Sequence, residues 1–324
     1  MMHDPDTLRP FLKTTVESTD FANLGKKYAG KVRDVYIQPK QKRRILIATD
    51  RQSAFDQLWC TIPLKGQVLT QLSAWWFEQV SDVMPNHILT VPDPNIMIVK
   101  ELNMLPIEII VRGYLTGSTN TSAWINYVQG KRNLCSNILP DGMVKNQPFD
   151  QPIITPTTKG EKDEAISSSE IIKHGFATKK QWQEIAEKAL ALFARGQEVA
   201  ARRNLILVDT KYEMGYDEHG ILTLADEVHT PDSSRYWITN TYRERFARGE
   251  EPESLDKEFF RLWLRKEGFD PAKPETKPTV TDDVRLNLAA RYIDLFERMT
   301  GKPFEFPENM DVLRRIEHNL EPFF

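Results

Sequence analysis

At 324 residues the chain is long enough for about two domains with substantial cores. A net charge of −3, with 43 basic and 46 acidic residues interspersed, argues against a dedicated nucleic-acid surface. No apolar run approaches the ~18 residues of a membrane helix. The opening Met-Met-His-Asp-Pro-Asp lacks the basic and apolar regions of a signal peptide, so neither a membrane nor a secreted protein is expected. Cys60 and Cys135 lie far apart in no metal-type spacing and are expected to be reduced thiols of a cytoplasmic protein.

Residues 1 to 24 form a polar lead-in with a short helical piece. From Lys26 to Ile37 the pattern turns to β, and residues 44 to 49 supply a partner strand. Lys31 and Arg33 then share one face beside Gly30, where two cations and backbone amides suit a triphosphate. An exposed basic edge that discourages aggregation explains the same alternation. With no GxxxxGK[ST] and no GxGxxG, any nucleotide would be held by a sheet-based clamp. Asp50 to Asp56 reads as a turn, and Leu69, Leu72, Trp76, Val80 and Val83 mark a helix over 65 to 84 with a core-facing stripe. Strands are expected over 96 to 99 and 107 to 111. Glu108 in the second requires partners, because a carboxylate in an apolar strand is costly unless compensated.

Ser118 or Thr119 is placed as the cap of a helix to about Gln129. Residues 130 to 169 are the least regular stretch, and a loop of that length inside a domain is functional or disordered. Thr178 and Gln181 form a capping box for a long helix to about Arg203. Helices are also expected over 239 to 248, 254 to 267, 281 to 299 and about 309 to 320, as scaffold or oligomer surface.

That long helix feeds residues 204 to 237. Leu205, Leu207, Asp209, Lys211 and Glu213 alternate onto one strand face, and residues 221 to 226 return after a turn. If Tyr216 sits opposite Ile221, Lys211 faces Asp226, and three acids converge on one face around a lysine. Three such acids would repel one another unless a cation sat between them, and oxygen-only ligands from one or two carboxylates suit Mg²⁺ carrying a nucleotide's phosphates. Cross-strand ion pairs on a solvated hairpin are the ordinary explanation of such a face. The loop that follows, with Thr230, Asp232, Ser233, Ser234 and Arg235, is rich in donors for an anionic ligand.

Leu-Val-Asp-Thr-Lys-Tyr-Glu-Met-Gly (207 to 215) and Leu-Ala-Asp-Glu-Val-His-Thr-Pro-Asp-Ser-Ser-Arg-Tyr-Trp (224 to 237) resemble two motifs of the SAICAR synthetases, the phosphoribosylaminoimidazole-succinocarboxamide synthases of purine biosynthesis. Gly-Lys-Val-Arg-Asp-Val-Tyr (30 to 36), Thr-Asp-Arg-Gln-Ser-Ala-Phe-Asp (49 to 56) and the run from Leu105 to Ser118 agree, as does Thr-Pro-Thr-Thr-Lys-Gly-Glu (155 to 161). Where the family commonly has a His before Asp163, this chain has Lys162.

The resemblance implies an α+β fold of two lobes, with antiparallel sheets, flanking helices and an ATP cleft between. The lobes are expected at 1 to 111 and 112 to 324. It implies ligation of L-aspartate to the carboxylate of 5-aminoimidazole-4-carboxylate ribonucleotide (CAIR), with ATP and Mg²⁺, in a cytoplasmic monomer or small homo-oligomer. Gly30, Lys31, Val32, Arg33, Glu108, Ile109 and Val111 would bind ATP, together with Glu213 and Asp226 as metal ligands. Asp50, Ser53, Asp56, Arg112, Ser118, Lys159, Asp232, Ser233 and Arg235 would bind substrate. Lys211, Glu213, Asp226 and Asp209 would form the catalytic group, with Asp209 on the metal or orienting Lys211. A small-molecule kinase with the same clamp and a non-catalytic nucleotide sensor are the competing classes.

Overall fold

The computed structural model describes residues 3–160, 163–308 and 311–324. By contacts the chain divides into two units. One comprises Met1–Trp76, His87–Glu101 and Phe259–Phe324; the other comprises Phe77–Asn86 and Leu102–Glu258.

In the first unit, β1 (Lys26–Ala29), β2 (Arg33–Gln38), β3 (Arg43–Ala48), β6 (Ile88–Asp93) and β7 (Ile96–Lys100) form an antiparallel sheet in the order β1-β2-β3-β7-β6. Between β3 and β6 lie the hairpin β4 (Arg51–Ala54) and β5 (Gln57–Thr61) and the helix α1 (Lys65–Gln79). Alternate positions of the sheet, Tyr36, Ile45, Ile47, Ile96 and Ile98, build a core with Val16 and Leu24 of the N-terminal segment. On α1 the stripe read from the sequence is buried at Leu69, Leu72 and Trp76. Asp50 is buried, and its two oxygens accept the amides of Val16 (2.7 Å) and Gly66 (2.9 Å). It thereby ties the N-terminal segment to the first turn of α1. Burial pushes its carboxyl up to about 6 against the pull of those amides.

In the second unit a seven-stranded sheet is built on β14 (Leu205–Tyr216). The preceding elements are β8 (Asn103–Met104), β9 (Ile107–Leu115), α2 (Ala123–Val128), the small hairpin β10 (Asn133–Leu134) and β11 (Asn137–Ile138), β12 (Gln147–Ile154) and β13 (Thr157–Thr158). The helices α3 (Ser168–Lys173) and α4 (Lys179–Ala201) follow, each opened by a reciprocal capping box, Ser167 with Glu170 and Thr178 with Gln181. After β14 come β15 (Leu222–Ala225), β16 (Ser234–Ile238) and α5 (Thr239–Ala247). β14 pairs antiparallel with β8, β9, β15 and β16, and Ile185, Ala189, Leu192 and Phe193 are the buried side of α4. The chain ends in α6 (Glu258–Lys266), α7 (Asp282–Thr300) and α8 (Val312–Leu320), of which α8 adds Ile316 and Leu320 to the core of the five-stranded sheet. No helix among the described residues is long and apolar enough to cross a membrane.

The α+β architecture expected from the sequence is present, but details differ. The stretch 50 to 56 expected as a turn holds β4, and α2 is opened by Ser122 in place of Ser118 or Thr119. The expected lobe boundary after residue 111 falls in mid-strand: β9 is unbroken there and both its long neighbours belong to the second unit, while residues 259–324 return to the first. The strand expected over 26 to 37 is interrupted by a tight turn in which the Gly30 amide donates to the Arg33 carbonyl (2.8 Å). Lys31 is therefore at a turn tip and Arg33 opens the next strand, so the two do not share a strand face. The irregular stretch 130 to 169 contains β12, paired with β9. The register of the main hairpin is Tyr216 opposite Leu222 and Glu213 opposite Ala225, one residue away from the expected pairing.

Gly66 sets a test of this arrangement. An added Cβ there would lie 2.3 Å from the Ala48 carbonyl oxygen, which belongs to β3 and cannot swing away. Gly66→Ala is expected to cost ~1–3 kcal/mol by overpacking, read as a lower denaturant midpoint with an unchanged slope. An unaltered midpoint would mean that α1 is free to move off the sheet.

Candidate active site

The charged face of the second sheet begins at a bulge. β14 and β16 shift register between Leu207 and Asp209, inserting Val208 as an extra residue. Before it, Leu207 packs with His229 against Gly196 of α4. Beyond it, Tyr212 takes that side and shares a buried 2.6 Å hydrogen bond with His229. Asp209, Lys211 and Glu213 consequently point to the other face. Leu205 and Leu207 had been expected on the same face as these charges, and the bulge separates them.

On β9, Arg112 lies opposite Asp209 and Ile110 opposite Lys211, so Glu108 comes onto the charged face two residues further along. The Lys211 ammonium donates to Glu108 Oε1 (2.6 Å) and Glu213 Oε1 (3.1 Å). Lys159, just beyond β13, donates to Glu213 Oε2. Glu108 thus has the partners that a carboxylate in an apolar strand requires. Burial works against the charge on Lys211, but Glu213, Glu108 and Asp226 outweigh it and hold the ammonium protonated above the ordinary lysine range. Burial likewise opposes ionisation of Glu213, yet Lys211 and Lys159 together keep its carboxyl below the usual value. Burial of Glu108, with the repulsion of Glu213, outweighs the pull of Lys211, so its carboxyl is raised.

Asp226 reaches this group by a route other than strand pairing. β15 ends at Ala225, and Asp226 adopts a left-handed backbone, φ 61°. Aspartate tolerates this conformation better than most residues. Its charge acts on Lys211 despite the changed register.

A second row of charges runs beside the first. Arg235 Nη1 donates to Asp209 Oδ2 (2.7 Å), and its Nε and Nη2 both donate to Glu258 Oε2 (3.2 and 3.0 Å). Arg112 stands 3.9 Å from the same Asp209 oxygen and donates to Thr155 Oγ1 (2.7 Å) and the Thr121 carbonyl (3.0 Å). Burial lowers the Arg112 pKa, with Asp209 opposing. Asp209 therefore sits between two arginines, while Lys211 is oriented by Glu108 and Glu213. Asp209, expected on the metal or orienting Lys211, is paired in this structure with the two arginines.

The turn at Ser118 lies close by. A Cβ on Gly117, φ 105°, would come within 3.0 Å of Arg235 Nη2, and Ser118 Oγ is buried with no hydrogen-bond partner in the structure. An orphaned hydroxyl on a turn that approaches an arginine suits a ligand oxygen. Asp232 meets Lys257 (3.3 Å), and Ser233 Oγ lies 3.3 Å from Thr230 Oγ1. His229 is buried and held neutral, its pKa pushed down to about 3, so it anchors the loop without adding charge.

The remaining expected residues belong to the first unit. Arg51 braces the Gly30 turn by donating to the Gly30 carbonyl (2.9 Å) and the Lys31 carbonyl (3.3 Å), and Thr49 secures Val32 through its carbonyl (2.8 Å). Lys31, with 59% of its side chain exposed, pairs with the exposed Asp56, whereas Arg33 is buried. Asp50, expected to touch substrate, has both oxygens engaged by main-chain amides as described above. Ser53 is buried in β4. In the second unit, Ile109 and Val111 are buried within β9. Lys162 lies outside the described residues, as does Glu161 of the motif at 155 to 161.

Among the described residues no group of three or more His, Cys, Asp or Glu forms a metal cluster. The pair expected to hold Mg²⁺, Glu213 and Asp226, supplies oxygens only, and the Glu213 carboxylate is ionised and already paired with cations. That donor set fits a hard divalent ion whose other ligands come from phosphates and water.

Sequence reading missed Asp256, Lys257 and Glu258. Asp256 accepts the amides of Tyr236 (2.7 Å) and Glu258 (2.7 Å), tying β16 to the start of α6. The Asp-Lys-Glu run before an apolar helix offered only a generic capping signal.

A face of alternating lysines, arginines and carboxylates, with a hydroxyl unsatisfied among the described residues, is suited to anionic, phosphorylated ligands. The family model for SAICAR synthetase matches residues 26–276. A phosphoribosylaminoimidazole-succinocarboxamide synthase of Legionella pneumophila (strain Paris) is 50% identical over 300 residues, covering 92% of this chain and 95% of that protein. The chloroplastic one of Arabidopsis thaliana is 46% identical over 316 residues, covering 97% and 76%. Among solved structures, the Saccharomyces cerevisiae SAICAR synthase complexed with SAICAR superposes with a TM-score of 0.77 at 31% identity, covering 90% of this chain and 100% of that one. A type-2 SAICAR synthetase in complex with ADP gives 0.66 at 25% identity, covering 87% and 100%. The chain belongs to the SAICAR synthetase family.

Lys211→Met would leave Glu108 and Glu213 facing each other across a poorly solvated gap. The expected loss is ~3–5 kcal/mol near neutral pH, the scale of breaking a buried ion pair. At least one carboxyl of the variant would have its folded-state pKa raised above the unfolded value, so its stability should fall as pH rises through that range. Denaturant midpoints should show a smaller deficit against wild type at about pH 5 than at about pH 8. A deficit independent of pH would remove carboxylate repulsion as its cause.

Proposed function

We propose that this enzyme joins L-aspartate to the carboxylate of CAIR at the expense of ATP, giving SAICAR, ADP and phosphate by way of an acyl phosphate. The observation that carries the reading is Lys211 held between Glu108 and Glu213 beside the Arg112–Asp209–Arg235 row. A carboxylate resists an amine because its oxygen leaves poorly. Attack of a CAIR carboxylate oxygen on the ATP γ-phosphorus forms the acyl–phosphate bond and releases ADP. The aspartate amine then attacks the acyl carbon, phosphate departs, and the amine loses a proton as the amide forms.

The residues contribute positioning and charge compensation to both steps. Lys211, kept protonated by its carboxylate neighbours, presents positive charge where the transferred group becomes crowded with oxygens. The Gly30–Arg33 turn, with Lys31 at its tip, would steady nucleotide phosphates, and residues 108 to 111 would line the base. Arg112, Arg235 and Ser118 would bind the anionic oxygens of CAIR, joined by Asp232, Ser233 and Lys159. Glu213 and Asp226 would hold Mg²⁺, which when bound neutralises and orients phosphate oxygens. The family's solved members in complex with SAICAR and with ADP support this assignment of ligands.

The test is ADP release by the purified protein with Mg²⁺, ATP and CAIR, with and without L-aspartate, while following the imidazole product by mass. Release dependent on both co-substrates, with a product heavier by one aspartyl residue, is expected. Release indifferent to aspartate would make the protein a kinase, and none at all would overturn the reading. Asp226→Asn is expected to abolish turnover and weaken Mg²⁺-dependent nucleotide binding by at least ~10-fold, with an unchanged unfolding midpoint. Normal turnover in that variant would remove Asp226 from the metal site.

A further inference from the structure

Arg235 has five N–H donors, and three are committed within the protein. Asp209 takes one from Nη1; Glu258 takes Nε and one from Nη2, on a single oxygen. The guanidinium plane is thereby fixed from two sides. The carboxylates come from different elements: Asp209 from β14, directly opposite Arg235 in the sheet, and Glu258 from the first position of α6. Glu258 is itself held. Its amide donates to Asp256 Oδ1, whose other oxygen accepts the amide of Tyr236, the residue next to Arg235. One carboxylate thus sets the spacing between the strand that carries Arg235 and the residue that clamps it. The Leu255 amide reinforces it by donating to the Tyr236 carbonyl (3.1 Å), and the Lys257 amide by donating to the Pro231 carbonyl (3.1 Å).

Two Arg235 donors remain, one on each terminal nitrogen. The Nη2 edge faces the turn at Gly117, whose missing side chain leaves that edge open, and the next residue of the turn, Ser118, has a buried hydroxyl with no hydrogen-bond partner among the described residues. An arginine that served only to hold the sheet together would have no need of an uncommitted edge facing such a turn. A flexible arginine would lose rotamer entropy on meeting an anion, whereas one already fixed has lost it on folding.

We propose that Glu258 is a positioning residue for the acceptor nucleotide: it fixes Arg235 so that the remaining donors meet an anionic oxygen of CAIR together with Ser118. The inference rests on the proposed reaction and deepens it by adding a residue outside the motifs that carry the family resemblance. It also gives the Asp256-Lys257-Glu258 segment a part in substrate binding through Arg235, beyond its role as a helix start.

The experiment compares wild type, Glu258→Gln and Glu258→Asp by steady-state kinetics with each of the three substrates varied in turn, alongside thermal unfolding. Glu258→Gln keeps the shape and one acceptor but loses the charge that grips two donors. Its KM for CAIR is expected to rise roughly tenfold, the lower end of what removing an orienting partner costs, with KM for ATP and aspartate unchanged and kcat little altered. Glu258→Asp keeps the charge with a shorter reach and should recover part of the loss. An unaltered KM for CAIR in folded Glu258→Gln, whatever its unfolding temperature, would overturn the inference and leave Glu258 a scaffold ion pair. So would an equal rise in all three KM values. Should Glu258→Gln fail to fold, Glu258→Asp decides: a selective rise for CAIR supports the proposal and a normal KM overturns it. A wild type inactive with the three substrates would overturn the parent reading, and this inference with it; an active wild type confines any failure to Glu258.

Discussion

An ammonium shared by two carboxylates on adjacent strands is the constraint on which the second unit depends. Removing three charges from water is expensive, and the attraction among them compensates only when their geometry is fixed. Lys211 meets Glu108 and Glu213 because β9 and β14 are antiparallel in one register, with Asp209 opposite Arg112. A slip of one residue would send every charge on one strand to the face that packs on α4, where Leu207, Tyr212 and Phe193 lie. The ion group therefore acts as a register lock on the same residues that the reaction would use. Stability and site geometry are coupled here, and a rigid face costs less to organise when ligands arrive.

The bulge at Val208 reconciles the two demands on β14. Its first half must bury Leu205 and Leu207 against helix, while its second half must turn Asp209, Lys211 and Glu213 away from it. Strict alternation would put all five on one side. The extra residue lets one strand serve both purposes, and Tyr212 and Met214 take over the apolar face beyond it. Two left-handed residues then finish the surface: Asp226, which ends β15, and His229, φ 52°, which anchors the loop leading to Arg235 through Tyr212. Both residue types tolerate that conformation better than β-branched ones, which reduces its cost.

Much of this was legible in the sequence where the signal is local. The capping box at Thr178 places α4 to within a residue of its start, and the alternation over 209 to 213 places the charged face. What escaped is non-local or cryptic. β12 carries Pro148 and Pro152, and its pairing with β9 shifts register between Pro148 and Ile153, so nothing periodic marks it; it is a strand because β9 offers an edge. The hairpin register differs from the simple count because Asp217 Oδ1 accepts the amides of both His219 and Ile221 (2.9 Å each). This Asx-type turn takes Ile221 out of the ladder and makes Leu222 the first paired residue. Glu258 is invisible because a glutamate opening a helix needs no special explanation.

Two exposed lysines, one in each unit, share one device. Lys31 rests on Asp56, and Lys159, with 46% of its side chain exposed, rests on Glu213. Neither contact adds much stability, because long exposed side chains are screened by water and lose entropy when held. Both do, however, hold a lysine near its place with its charge compensated. A phosphate that displaces the carboxylate gains a stronger, doubly charged partner for the same ammonium. In the free protein Lys159 also spares Glu213 from being an uncompensated carboxylate.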